Sequence, residues 1–173
     1  IRGINIFFGN YQKCKDKFDV YKHFLGEAYF FRAWYYFQLV KKYGDVPWVS
    51  SELLPTSEEG LSRPRDPRTL VVDSILADLN HAIEVLSPRS KYGNNRINKE
   101  AALAFKTRVA LYEGSWQKYH AGSVFGTAGA DPNKYFKACT DAAEELMNGN
   151  YQVGIYNDYY KLFGLDNMSS ANE

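Results

Sequence analysis

Apolar residues in this chain recur at intervals of three and four, the spacing that places them on one face of an α-helix. Ile4, Phe7, Phe8 and Tyr11 predict a first helix over 2–11. A polar patch at 13–17 separates it from the strongest signal, because between Ala28 and Val40 only Arg32 and Gln38 are strongly polar. That second helix is expected to start near Asp19 and to stop at Gly44, a C-terminal cap backed by Pro47. A membrane span needs about 18 apolar residues without charge. This run is shorter and holds Arg32, so it reads as a helix buried on most sides. The stretch 48–66 is irregular, broken by Pro55, Gly60 and Pro64.

Three more helices follow. One runs from about Pro67 to Leu86, with Val72, Ile75, Leu76, Leu79, Ile83 and Leu86 as its stripe and Pro88 as its stop. After a turn at Gly93-Asn94-Asn95, Asn98 caps a helix predicted over Lys99–Glu113 and ended by Gly114. Its inward positions are Ala101, Leu103, Ala104, Val109, Leu111 and Tyr112. A Gly-rich loop covers 115–131. The last helix, Pro132–Met147, aligns Tyr135, Phe136, Cys139, Ala142, Ala143 and Leu146.

A weak internal repeat organises these elements. Arg32-x-x-x-Tyr36 recurs as Arg108-x-x-x-Tyr112, and each copy ends at a glycine, Gly44 or Gly114. Each is followed by a helix with alanine at a matching place, in Leu79-x-x-Ala82-Ile83-x-x-Leu86 and Cys139-x-x-Ala142-Ala143-x-x-Leu146. Small residues at a crossing let two axes approach, as in tetratricopeptide hairpins of about 34 residues. The expected fold is therefore all-α, with antiparallel helix pairs of tetratricopeptide type and long irregular loops, forming one helical region over 1–173.

Charge and composition narrow the function classes. With 21 Lys+Arg against 20 Asp+Glu the net charge is +1, which argues against a nucleic-acid binder. The three histidines show no metal-ligand spacing, and there is no H-E-x-x-H, G-x-S-x-G, P-loop or G-x-G-x-x-G. No catalytic residue, metal or cofactor is expected. Cys14 and Cys139 lie far apart; they could pair, but two scattered thiols read more simply as small core residues. The chain opens at Ile1 and stops at Glu173 without a boundary signal, so it reads as a piece of a longer protein. The unusual number is 16% aromatic residues, with 14 Tyr, 11 Phe and 3 Trp.

Those aromatics and a few charges supply the candidate residues. Arg32 in its apolar run needs a partner, and Asp78 on the next long helix is the expected one; Glu27 and Arg108 complete a set read as inter-helix ion pairs. The rings from Tyr29 to Phe37 cover every face of one helix, and most of them are expected in the core. Trp48, Trp116 and Tyr119, with His120 and Phe125 nearby, lie in or beside loops, where binding residues concentrate on a rigid scaffold. Their flat faces suit the C–H face of a sugar ring.

The run Gly26-Glu27-Ala28-Tyr29-Phe30-Phe31-Arg32-Ala33-Trp34-Tyr35-Tyr36-Phe37-Gln38-Leu39-Val40, continued by Tyr43-Gly44-Asp45-Val46-Pro47, resembles the core motif of the SusD/RagB family. Arg63-Pro64-Arg65, Ile75 to Ala82, Asn98 to Ala104, Arg108 to Trp116, Gly149 to Val153 and Asn172-Glu173 follow in the family's order. The resemblance implies a surface-exposed outer-membrane lipoprotein that captures glycans or peptides without catalysis. It would deliver them to a SusC-like TonB-dependent transporter, held to the membrane by a lipid anchor outside this chain. The reading from another class is a free-standing tetratricopeptide scaffold that docks a partner peptide between its helix pairs.

Overall fold

The structure is a computed structural model that describes residues 1–163 except 55, 93, 94 and 152. Its elements are α1 (Arg2–Asn10), a 3-10 turn (Tyr11–Lys17), α2 (Phe18–Tyr43), α3 (Glu58–Leu61), α4 (Arg68–Val85), α5 (Arg89–Tyr92), α6 (Lys99–Tyr119), α7 (Pro132–Asn148) and α8 (Tyr159–Phe163). The fold is all-α. Among the described residues the one β-like contact is an isolated antiparallel bridge between Val46 and Asp66. Of the expected segments, Gly93-Asn94 and Asn172-Glu173 lie outside the described residues.

Two helix pairs carry the molecule: α2 packs on α4 and α6 on α7, with α4 against α6 between them. Their direction follows from which residues meet. Gly26 near the start of α2 abuts Val85 and Leu86 at the end of α4, while Val40 near the end of α2 accepts a hydrogen bond from Arg68 at the start of α4. Lys99 at the start of α6 pairs with Glu145 late in α7. Both pairs are thus antiparallel. Every residue of the predicted α4 stripe, Val72, Ile75, Leu76, Leu79, Ile83 and Leu86, is buried. Ala82 and Ala142 are closed off from solvent at the two crossings. Gly44 ends α2 at φ 71, with its N–H on the Val40 carbonyl.

Several expectations are corrected. Gly114 does not stop α6, which continues to Tyr119. It is buried, and a Cβ there would meet the Phe136 ring at 2.8 Å, so this glycine serves the approach of α7. The α6 stripe is also shifted: Leu111 is 51% exposed and Ala104 is exposed, whereas Ala102 and Phe105 are buried. In α2 only Phe30, Tyr36 and Phe37 of the aromatic run are fully buried; Phe31, Trp34 and Tyr35 are about two-fifths exposed. A helix partnered mainly on one side by α4 leaves its far side open. Cys14 is exposed rather than in the core, and both cysteines are free thiols. Arg108 faces solvent, so the Arg-x-x-x-Tyr repeat does not repeat an ion pair.

Candidate functional site

Two buried arginines organise the helix pairs, one midway along α2 and one at the start of α4. Arg32 donates from Nε to Asp78 Oδ2 at 2.6 Å and from Nη2 to Asp78 Oδ1 at 2.7 Å, bringing the expected partners together in a bidentate pair. Its Nη1 reaches the Ser50 carbonyl at 3.3 Å and Asn5 Oδ1 at 3.4 Å. The Asn5 amide in turn donates to the Val49 and Ser51 carbonyls at 2.9 and 3.0 Å. The guanidinium carbon lies 4.3 Å from the centre of the Phe8 ring and 5.3 Å from that of Trp48. This network fastens α1 and the 46–51 segment onto α2 and α4. Burial raises the pKa of the Asp78 carboxyl, opposed by the hydrogen bonds and charge of Arg32. Glu27, from the same predicted set, pairs instead with Arg96.

The second arginine is Arg68, buried at the start of α4. Its Nε donates to both Glu113 oxygens at 3.1 and 2.8 Å, and Gln117 Nε2 donates to Glu113 Oε1 at 2.7 Å. Its backbone N–H donates to Asp45 Oδ1 at 2.8 Å, so Asp45 closes the N-terminus of α4. Sequence reasoning missed this pair. The available signal was Glu113 four residues after buried Val109 on the inward face of α6, where a carboxylate needs a cation.

Trp48 and Trp116 each lie against one of these arginines. Trp48 packs on Tyr36 with ring centres 4.2 Å apart, and its backbone N–H donates to Asp66 Oδ2 at 2.7 Å. Trp116 lies on the last turns of α6, with the Arg68 guanidinium 4.2 Å from its ring centre and the His120 ring stacked at 4.1 Å. Its Nε1 donates to the Phe125 carbonyl at 2.9 Å, pinning the following loop. Tyr119, 78% exposed, ends the helix. Trp116 lines a cleft that neither Tyr119 nor Trp48 borders.

That cleft, of about 480 Å³, opens where the end of α2, the start of α4, the end of α6 and the 124–128 loop converge. Its wall includes Tyr43, Asp45, Arg65, Trp116, Phe125 and Thr127. Tyr43 is 53% and Phe125 65% exposed. Other hollows lack part of this combination. One of about 640 Å³ is walled largely by apolar residues such as Leu39, Val49 and Leu54. A hollow of about 830 Å³ over the 51–64 loop carries Ser51, Glu52, Ser57 and Arg63 but no aromatic ring. In a third, beside Phe31, Arg96 and Glu27 are spent on each other. Among the described residues no three His, Cys, Asp or Glu side chains form a metal-binding group.

Antiparallel helix pairs stacked side by side, with a loop-lined cleft at one end, define a helical-repeat scaffold. The chain belongs to the SusD-like family, described as starch-binding and associating with the outer membrane, which it matches over residues 1–111. It is 34% identical over 93 residues to SusD-like protein P2 of Formosa agariphila, covering 53% of this chain and 18% of that protein. A SusD-like protein from Bacteroides fragilis superposes with a TM-score of 0.68 at 27% identity, over 88% of this chain and 26% of its own. A SusD homologue from Bacteroides thetaiotaomicron shares the fold, with a TM-score of 0.65 at 22% identity over 84% of this chain and 25% of its own. The chain thus spans under a fifth of the relative in Formosa and about a quarter of the solved structures.

Proposed function

We propose that these residues are the helical scaffold of a surface binding protein that captures an oligosaccharide or a peptide and passes it to a SusC-like TonB-dependent transporter. It binds and releases; it performs no chemistry on the ligand. The observation that carries this reading is the match of residues 1–111 to a family described as starch-binding and outer-membrane-associated. In this reading the protein sits on the outer surface of the outer membrane through a lipid anchor outside these residues. Among the described residues no helix is long and apolar enough to cross a membrane. Trp48, Trp116 and Tyr119 are the proposed aromatic contacts. Trp48 and Trp116 are each braced by a buried arginine, and Tyr119 presents an open ring. For Trp48 the bracing suits a rigid platform, since a ring already fixed loses little entropy when a ligand stacks on it; Trp116, with Arg68 and His120 both against its ring, would meet a ligand at its edge.

The test is a titration of the full-length protein with soluble glycans and with peptides by calorimetry, alongside co-purification from its native membrane. Saturable binding and a co-purifying β-barrel transporter are expected. Absence of binding to every glycan and peptide, with no transporter recovered, overturns the reading.

A further inference from the structure

We propose that the cleft between Tyr43, Arg65 and Phe125 is a binding subsite for a neutral hexopyranose segment of an oligosaccharide. This inference rests on the glycan-capture reading above and assigns it a place in the fold. The cleft volume of about 480 Å³ falls in the range of small-ligand sites, about 300–1,000 Å³. Its two open rings, Tyr43 and Phe125, supply apolar faces of the kind that cover the C–H face of a pyranose. Both protrude more than a packed core ring would.

The polar groups decide the class of sugar. Arg68 is neutralised by Glu113 within the protein. What remains at the mouth is one cation, Arg65, and one anion, Asp45, both exposed. Among the described residues Arg65 makes no hydrogen bond or ion pair, so its five N–H groups are available to hydroxyl oxygens. Asp45 spends one oxygen on the Arg68 backbone N–H and keeps the other for a hydroxyl donor. One donor fork and one acceptor of opposite charge suit a diol; they leave no surplus positive charge for an acidic sugar.

A peptide fits this cleft less well. Peptide capture commonly uses a row of unpaired backbone groups, and several N–H groups of the loop are already used. Gly126 N–H donates to the Ser123 carbonyl, Thr127 N–H to Gln117 Oε1, and Ala130 N–H to the Thr127 carbonyl. Gly126 lies so close to the His120 carbonyl that a Cβ would overlap it. The loop is therefore held in shape by its own bonds, and the wall it forms exists before a ligand arrives.

The experiment compares the full-length protein with its Arg65→Gln and Phe125→Ala variants, and with Met147→Gln on the exposed face of α7 as control. Each is titrated with maltoheptaose, cellohexaose and laminarihexaose as neutral probes and with oligogalacturonate as the acidic one; thermal melting reports folding. Expected is binding of at least one neutral probe in preference to oligogalacturonate. Arg65→Gln and Phe125→Ala should each weaken that binding roughly tenfold, with melting unchanged and Met147→Gln silent. If neutral binding is intact in both variants, the cleft assignment is overturned while glycan capture stands. Preference for oligogalacturonate overturns the neutral class. No binding of any glycan or peptide to the full-length protein removes the capture reading, and this one with it.

Discussion

Neighbouring residues of the same chemistry have opposite jobs in α2. Tyr36 is buried, and its hydroxyl accepts from the Val49 N–H at 2.8 Å; Tyr35 beside it is 45% exposed. Tyr36→Phe should cost about 1–3 kcal/mol, because it strands a part-buried N–H. Tyr35→Gln should stay within about 0.5 kcal/mol, as surface changes do; urea denaturation of the two variants separates them. The Arg32–Asp78 pair offers a second contrast. Removing one partner leaves a buried charge unpaired, so Arg32→Ala should cost about 3–5 kcal/mol. The double variant Arg32→Met with Asp78→Leu should recover most of that loss, since burial already works against the Asp78 carboxylate. An equal loss in single and double variants would sink this account.

At the scale of elements, the helices form from the apolar periodicity, but how closely they pack rests on single small residues. Gly114 sits under the Phe136 ring, so Gly114→Leu should force α6 and α7 apart and cost about 1–3 kcal/mol. Gly9 in α1 has open space where a Cβ would go. There Gly9→Ala should instead stabilise by roughly 0.5 kcal/mol through helix propensity. Gly44 and Gly114 look alike in sequence. A glycine after an apolar stripe signals a cap at Gly44 and a close crossing at Gly114, and only the partner helix distinguishes them. The same holds for α6's exposed Leu111: which side of a helix is inward depends on what lies across from it.

At the scale of the whole molecule, stability is set by how the pairs are joined. His23 of α2 is buried and its Nδ1 accepts from the Ser87 N–H at 3.3 Å, tying α2 to the start of the connection toward α6. Burial holds its pKa below the ordinary 6.5, against the pull of Glu27 and with help from Arg96 and Lys91. A depressed histidine pKa means that the unfolded chain takes up the proton first. Its contribution is therefore complete above about pH 6.5 and is lost as the pH falls below that value. Guanidinium denaturation at about pH 7.5 and about pH 5.5 should show lower stability at the acid value, and His23→Gln should flatten that difference.

The sequence by itself determined the all-α class, the α4 stripe, the Gly44 cap, the Arg32–Asp78 partnership and the order of motifs that marks the family. All but the last depend on spacing along one helix, or on a charge that must find its opposite. The tertiary structure alone decided the Arg68–Glu113 pair, the role of Gly114, the open face of α2 and the cleft that joins Tyr43 to Phe125. The reason is physical: burial and proximity belong to pairs of elements distant in sequence, and a helix cannot show which of its faces a neighbour will cover.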